Sequence, residues 1–339
     1  MKRFLFFCLF IAQLLPASSQ TLGGSSVFNF VNQPNTAQLS ALGGINISNI
    51  TNDAGLSFHN PALLRDDMTG QVNASFNDFL AGIKNYSLVS AFHLNKAETN
   101  IAFGVNYFDY GTLPQTDPAG NILGSFHPND YVVQLSASRQ YKDNWWYGAT
   151  FKFISSNYSQ YKSSGIALDF GLAYYDSSNG LQASVVVKNM GTQLKTYDGS
   201  GTKEELPFDL QAGITKRLAK APIQFSLTAH HLQQFNIYYN DTTFNSSEGN
   251  DQQNSSVANK ILTHLVLSTQ IYIAEKIEVT GGYNFLRRKD LNGYNVTNGL
   301  NGFTLGLGVL LKKLNVRYAT GFYQQNMFHQ FSINFNWKS

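Results

Sequence analysis

Cysteine, charge and long apolar runs are all scarce in this chain, and each shortage excludes something. Cys8 is the only cysteine among 339 residues. A disulfide framework is therefore excluded, and thiolate chemistry cannot operate in a chain that loses residue 8 on export. Charged residues make up 13% of the sequence, about half the usual share. Setting aside Lys2 and Arg3, 24 basic residues become 22, against 21 acidic ones. So balanced a chain offers nucleic acid no electrostatic footprint. After residue 20 no stretch approaches the roughly eighteen apolar residues of a membrane helix, and mean hydropathy is −0.20.

In place of charge the chain has aromatics at 14%, with 18 Tyr, 26 Phe and 28 Gly. Low charge and many aromatics, without a membrane helix, is the composition of an outer-membrane barrel, where alternate residues face lipid. Residues 1–20 read as a secretory signal. Lys2 and Arg3 form the basic start, Phe4 to Leu15 the apolar stretch, and Pro16-Ala17-Ser18-Ser19-Gln20 the small-residue exit. Cleavage is expected after Ser19 or Gln20. The apolar stretch is too short to cross about 30 Å of hydrocarbon as an anchor helix.

Beyond about residue 70 hydrophobicity alternates with the period of a strand. Phe303, Leu305, Leu307 and Val309 alternate with Thr304, Gly306 and Gly308; Phe331, Ile333, Phe335 and Trp337 alternate with Ser332, Asn334 and Asn336. A soluble sandwich would carry Lys, Glu and Arg on its second face. Here that face carries Gly, Ser, Thr, Asn and Gln, which suits a polar or plugged lumen. Fourteen such segments are expected near 71–79, 86–94, 99–109, 130–141, 145–155, 164–175, 180–189, 207–217, 222–232, 260–273, 277–286, 301–311, 314–323 and 328–337. Connections after the even-numbered segments are short. The others include the longer 110–129, 156–163, 190–206, 233–259 and 287–300. Short periplasmic turns alternating with longer outer loops is the topology of these barrels. The expected fold is all-β: a 14-stranded antiparallel transmembrane β-barrel over 71–339, with an N-terminal plug-like segment at 21–70.

No catalytic set emerges, so no enzyme, cofactor or metal site is expected. There is no nucleophile elbow, P-loop or dinucleotide fingerprint. His230 and His231 are neighbours, but adjacent strand residues point to opposite faces and are not expected to chelate one ion together. Lys152, Asp169, Lys188, Asp209, Glu278 and Arg317 are expected to face the lumen. Their mixed signs favour ion pairs over the single-sign rings of a selective pore. Asp53, Arg65, Asp66 and Asp67 are candidates to dock the N-terminal segment onto them. Trp145-Trp146-Tyr147, beside the turn at Lys142, fits a periplasmic aromatic girdle, and Tyr174, Tyr175, Tyr238, Tyr239, Tyr318, Phe322 and Tyr323 fit interfacial positions. The polar loop 233–259 is the first place to expect a partner.

The N-terminal segment carries a resemblance. Gly23-Gly24 through Phe28 and Phe30, Thr36 through Gly43 and Gly44, Asp53, and Asn60-Pro61-Ala62 resemble the start of the FadL-like outer-membrane families of Bacteroidetes. Within these the chain is most similar to the PorQ family of the type IX secretion system, related to PorV. Gln38 stands where that family usually has Arg. The resemblance implies an outer-membrane component, bound by membrane lipid, that scaffolds a cell-surface attachment complex containing PorZ, PorU and PorV, with no bond-making role. The alternative within the same group is a FadL-type transporter of small hydrophobic molecules. A transporter needs a plug that can move; a scaffold needs ordered outer loops.

Overall fold

The computed structural model describes residues 26–237, 256–291 and 298–338. The expected signal at 1–20, Gly23-Gly24, Tyr238 and Tyr239, and most of the polar loop 233–259 lie outside the described residues. Sixteen strands occur among those described: β1 (Gln71–Asp78), β2 (Lys84–Leu94), β3 (Thr99–Asp109), β4 (Leu113–Thr116), β5 (Ile122–Phe126), β6 (Asn129–Tyr141), β7 (Trp145–Tyr158), β8 (Tyr161–Asp176), β9 (Leu181–Lys195), β10 (Asp209–Arg217), β11 (Ile223–Ala229), β12 (Leu265–Ile273), β13 (Ile277–Asn284), β14 (Phe303–Leu310), β15 (Leu314–Tyr323) and β16 (Asn326–Asn336). β4 and β5 form a separate hairpin. The other fourteen close into one antiparallel barrel, with β16 returning to pair β1 in the register Gln71 to Asn336 through Asp78 to His329. Closure leaves no unpaired edge, which a membrane demands because hydrocarbon cannot hydrogen-bond free backbone groups.

The alternation places side chains as the strand period dictates. Phe303, Leu305, Leu307 and Val309 of β14 are 43% to 58% exposed on the outer wall, whereas Thr304 faces inward and is buried. Taking the short-turn end as periplasmic, the turns 95–98, 142–144, 177–180, 218–222, 274–276 and 311–313 lie there. The chain enters and leaves the wall at that same end.

Two expectations about the loops and their edges need correction. Residues 156–163 are not a long outer loop: β7 and β8 run on to a two-residue turn at Ser159-Gln160, where Ser159 adopts φ 62°. Residues 260–263, read as strand, belong to the helix Val257–Thr263, which Ser256 caps by accepting from the Asn259 amide at 3.3 Å. The apolar Ile261-Leu262 pair suits either state, and the cap decides. Loop 110–129 holds the β4–β5 hairpin, whose tip is tied by Asp117. Its carboxylate accepts from Asn121 Nδ2, Asn121 N–H and Ala119 N–H at 2.8–2.9 Å. The Asn121 bonds hold that carboxyl below its ordinary range.

Residues 26–70 fill the barrel. They begin at the outer end, where Val27 N–H donates to the Glu205 carbonyl at 2.9 Å, and reach the periplasmic rim, where Gly70 donates to Ala91. On one side their Val27, Phe28, Phe30, Val31, Ala54, Phe58, Leu64 and Met68 pack against Val89, Ala91, Ala102, Phe108, Val132, Ile154 and Ala167 of β2, β3 and β6–β8. The hydrophobic core therefore lies between plug and wall, inside the lumen. Each large side chain buried there contributes about 1.5–3 kcal/mol before entropy is counted.

Candidate functional site: the plugged lumen

The plug is built from short capped turns. Thr36 caps the helix Ala37–Ala41, its hydroxyl accepting from Leu39 N–H at 3.2 Å. Gly43 and Gly44 end it with φ 90° and 86°, a left-handed region that disfavours any side chain. Gly44 N–H returns to the Leu39 carbonyl at 3.0 Å. Asn60 caps Pro61–Leu63, accepting from Ala62 N–H at 2.9 Å and donating to the Ile47 carbonyl at 2.7 Å. Pro61 stands at the first helical position, where its missing N–H costs nothing.

Bare patches on the wall receive these turns. A Cβ at Gly282 would lie 2.3 Å from Gly43 N, and one at Gly306 would lie 2.4 Å from Ala41 Cβ. A Cβ at Gly148 would meet the Pro61 carbonyl carbon at 2.7 Å, and one at Gly171 would meet Asn60 Oδ1 at 2.2 Å. The Gly43-Gly44 turn is thus seated on β13–β14, and Asn60-Pro61-Ala62 on β7–β8. Wall hydrogen bonds complete the seating. Thr304 accepts from Gly43 N–H at 3.1 Å, and Asn284 Nδ2 donates to the Gly43 carbonyl at 3.2 Å. Gln38 is buried and accepts from the Thr51 hydroxyl at 3.2 Å.

Besides the small apolar contact of Ala37 and Ala41 on Ala319, a polar seam joins the plug to β9–β16. Ala37 N–H donates to Ser332 at 2.7 Å, Ile50 N–H to Gln182 at 2.7 Å and Asn49 Nδ2 to Gln270 at 2.9 Å; the Ser48 and Thr215 hydroxyls meet at 2.8 Å. The six inward charges are all buried. Lys152 pairs Asp169 at 2.5 Å, and Asn189 bridges them, accepting from Lys152 Nζ and donating its N–H to Asp169. Arg317 sits between Glu278 at 3.4 Å and Asp53 of the plug at 3.5 Å. Lys188 contacts His59 Nδ1 at 2.9 Å, and Asp209 accepts from His231 N–H and Gln211, both at 2.6 Å. Of the four proposed docking charges, only Asp53 meets one of these six. Arg65 stacks on Trp146 at 4.0 Å, and Asp66 approaches His93 at 3.4 Å. Among the described residues no wall cation pairs with Asp67.

With a closed fourteen-strand wall and an internal plug in place, comparison with solved structures becomes informative. The fold is that of outer-membrane β-barrels. The chain superposes on a TodX monoaromatic hydrocarbon channel, the deltaS2 mutant, with TM-score 0.53 and 12% identity, covering 89% of this chain and 97% of that one. It also matches the CymD monoaromatic hydrocarbon channel (TM-score 0.48, 13% identity, 92% and 99% covered) and the KdgM porin (0.34, 7%, 78% and 98%). At these identities the likeness is one of fold. No protein-family model matches the sequence, and no curated protein matches it.

Below the seam lies a vestibule of about 740 Å³ at the periplasmic mouth, lined among others by Asn52, Gln182, Arg217, Gln224, Glu278 and Arg317. It was not legible in the sequence, because it is bounded by residues from eight strands, β8 to β15, and the plug. The wall glycines at 148, 171 and 282 were likewise missed as plug seats. Their signal was a glycine in the inward register of a strand, which marks close approach of another backbone.

The histidine pair also needs correction. His230 lies just past β11, and His231 turns to φ 53°. The turn abolishes strand alternation, so the two imidazoles meet, Nδ1 to Nδ1 at 2.6 Å, with Asp209 beside them. Tyr318, expected at an interface, sits midway along β15 and hydrogen-bonds His329 at 2.7 Å.

Proposed function

We propose that this protein is an outer-membrane transporter of small hydrophobic molecules, exported by the signal at residues 1–20 and gated by residues 26–70. The observation that carries the reading is the asymmetry of the plug's attachment. Against β2, β3 and β6–β8 it is held by a continuous apolar core, and against β9–β16 by separate hydrogen bonds, the Asp53–Arg317 ion pair and a small contact of Ala37 and Ala41 on Ala319. Each such bond contributes about 0.5–1.5 kcal/mol net and exchanges readily with water. The polar side also overlies the 740 Å³ vestibule. The plug can therefore part from one half of the wall while staying anchored to the other. Likeness to the TodX hydrocarbon channel supplies the solute class to test.

The experiment locks the seam. Ser48→Cys with Thr215→Cys, in a Cys8→Ser background, replaces two touching hydroxyls by a disulfide. Uptake of a labelled monoaromatic into proteoliposomes should fall when the pair is oxidised and return with reductant. Equal rates in both states would overturn the gate.

A second reading, the secretion scaffold implied by the PorQ resemblance, is favoured by one feature. The β4–β5 hairpin stands apart from the wall with Leu113, Ile122 and Leu123 exposed, the latter two by 74% and 66%. Serine at all three positions should release PorZ, PorU or PorV from affinity-purified outer membranes. Unchanged retention sinks that reading.

A further inference from the structure

We propose that Asp209, His230 and His231 form a binding site for one divalent transition-metal ion of the Zn²⁺ class. The three offer ligand atoms that lie within 4.8 Å of one another. Two imidazoles and one carboxylate, with a position left open, is a donor set suited to Zn²⁺, Co²⁺ or Ni²⁺ and poorly suited to Mg²⁺ or Ca²⁺. The set sits at the outer end of the lumen, where β10 begins and β11 stops.

Three details make this a built site. First, the backbone is fixed around it: His230 N–H donates to the His264 carbonyl at 3.0 Å, and His231 N–H donates to Asp209 Oδ1 at 2.6 Å. Asp209 Oδ2 accepts from Gln211 at 2.6 Å and stands 3.8 Å from His231 Nδ1, so the carboxylate is oriented by a supporting group as metal-binding carboxylates are. Second, His230 is fully buried; its Nδ1 meets His231 Nδ1 at 2.6 Å, a contact that an ion between the two rings would replace, and its Nε2 has no hydrogen-bond partner among the described residues. A buried imidazole so placed is under-satisfied without a ligand. Third, a 40 Å³ cavity lined by His59, Lys188, Asp209, Gln211 and His231 adjoins the set. It is large enough for a water molecule to complete the coordination. His231 is half-buried and offers the entry path. Lys188, paired with Asp209 across β9–β10, is the opposing charge, and its presence lowers the affinity.

The site would tie the start of β10 to the end of β11, at the rim where the wall ladder between these strands ends. It does not depend on the transport reading. The test titrates Co²⁺ into the untagged, folded protein in detergent and follows visible absorption, with Zn²⁺ competition and the melting temperature as second readouts. The expected result is one ion per chain, displaced by Zn²⁺, with a raised melting temperature. His231→Ala and Asp209→Asn should each weaken binding about tenfold or more. His231 is partly exposed, so its variant should fold, and retained heat-modifiability on electrophoresis verifies that. No binding by the wild type, or undiminished binding in either folded variant, overturns the site.

Discussion

The buried triad of Asp53, Arg317 and Glu278 makes a sharp energetic prediction, because among the described residues it is the one buried cluster of ion pairs shared by plug and wall. Its members are at most 5% exposed, with nitrogen–oxygen separations of 3.5 and 3.4 Å. At an effective dielectric of about 20 each contact is worth roughly 5 kcal/mol before desolvation is charged against it. Removing different members therefore has unequal consequences. Asp53→Asn keeps the cap on Gly55, leaves Arg317 paired to Glu278, and should cost about 1.5–3 kcal/mol, the range for a charged hydrogen bond. Arg317→Gln leaves two carboxylates buried without their cation and should cost about 3–5 kcal/mol. The double variant should cost less than the sum, since one orphaned carboxylate has gone. Urea unfolding in lipid vesicles, followed by tryptophan fluorescence, measures all three. If Arg317→Gln costs no more than Asp53→Asn, or the two effects simply add, the triad does not join plug to wall.

Two further predictions address the seats and the wall. Gly171→Val would thrust a Cβ to 2.2 Å from Asn60 Oδ1. It should destabilise by about 1–3 kcal/mol and open a protease site within residues 45–65 while the barrel survives, as limited digestion would reveal. Leu305→Lys, midway along the outward face of β14, should cost about 2–4 kcal/mol of folding into bilayers. Thr304→Ser, one residue away on the inward face, should cost less. Equal effects would mean that the faces are assigned the wrong way round.

Much of the wall was legible because the strand period is a local property. Phe303, Thr304, Leu305 and Gly306 reveal their faces from neighbours alone, and so do Lys152 and Asp169. Where the reading failed, local pattern was ambiguous or overruled. Ile261-Leu262 suits a helix or a strand. His230-His231 alternates only while the strand continues, and a left-handed His231 stops it. The glycine seats at 148 and 171 look like any other small inward residue until Asn60-Pro61-Ala62 is placed upon them.

The sequence alone determined fourteen wall strands, their alternating faces, the short-turn end and a distinct segment of about fifty residues before them. These follow from a two-residue repeat, turn chemistry and composition, none of which needs a distant partner. Only the tertiary structure decided that this segment occupies the lumen, that Asp53 meets Arg317 across 264 positions of chain, and that Asp209 joins His230 and His231. Those outcomes depend on barrel closure and strand register, which bring residues together by hydrogen-bonded neighbourhood and not by position along the chain.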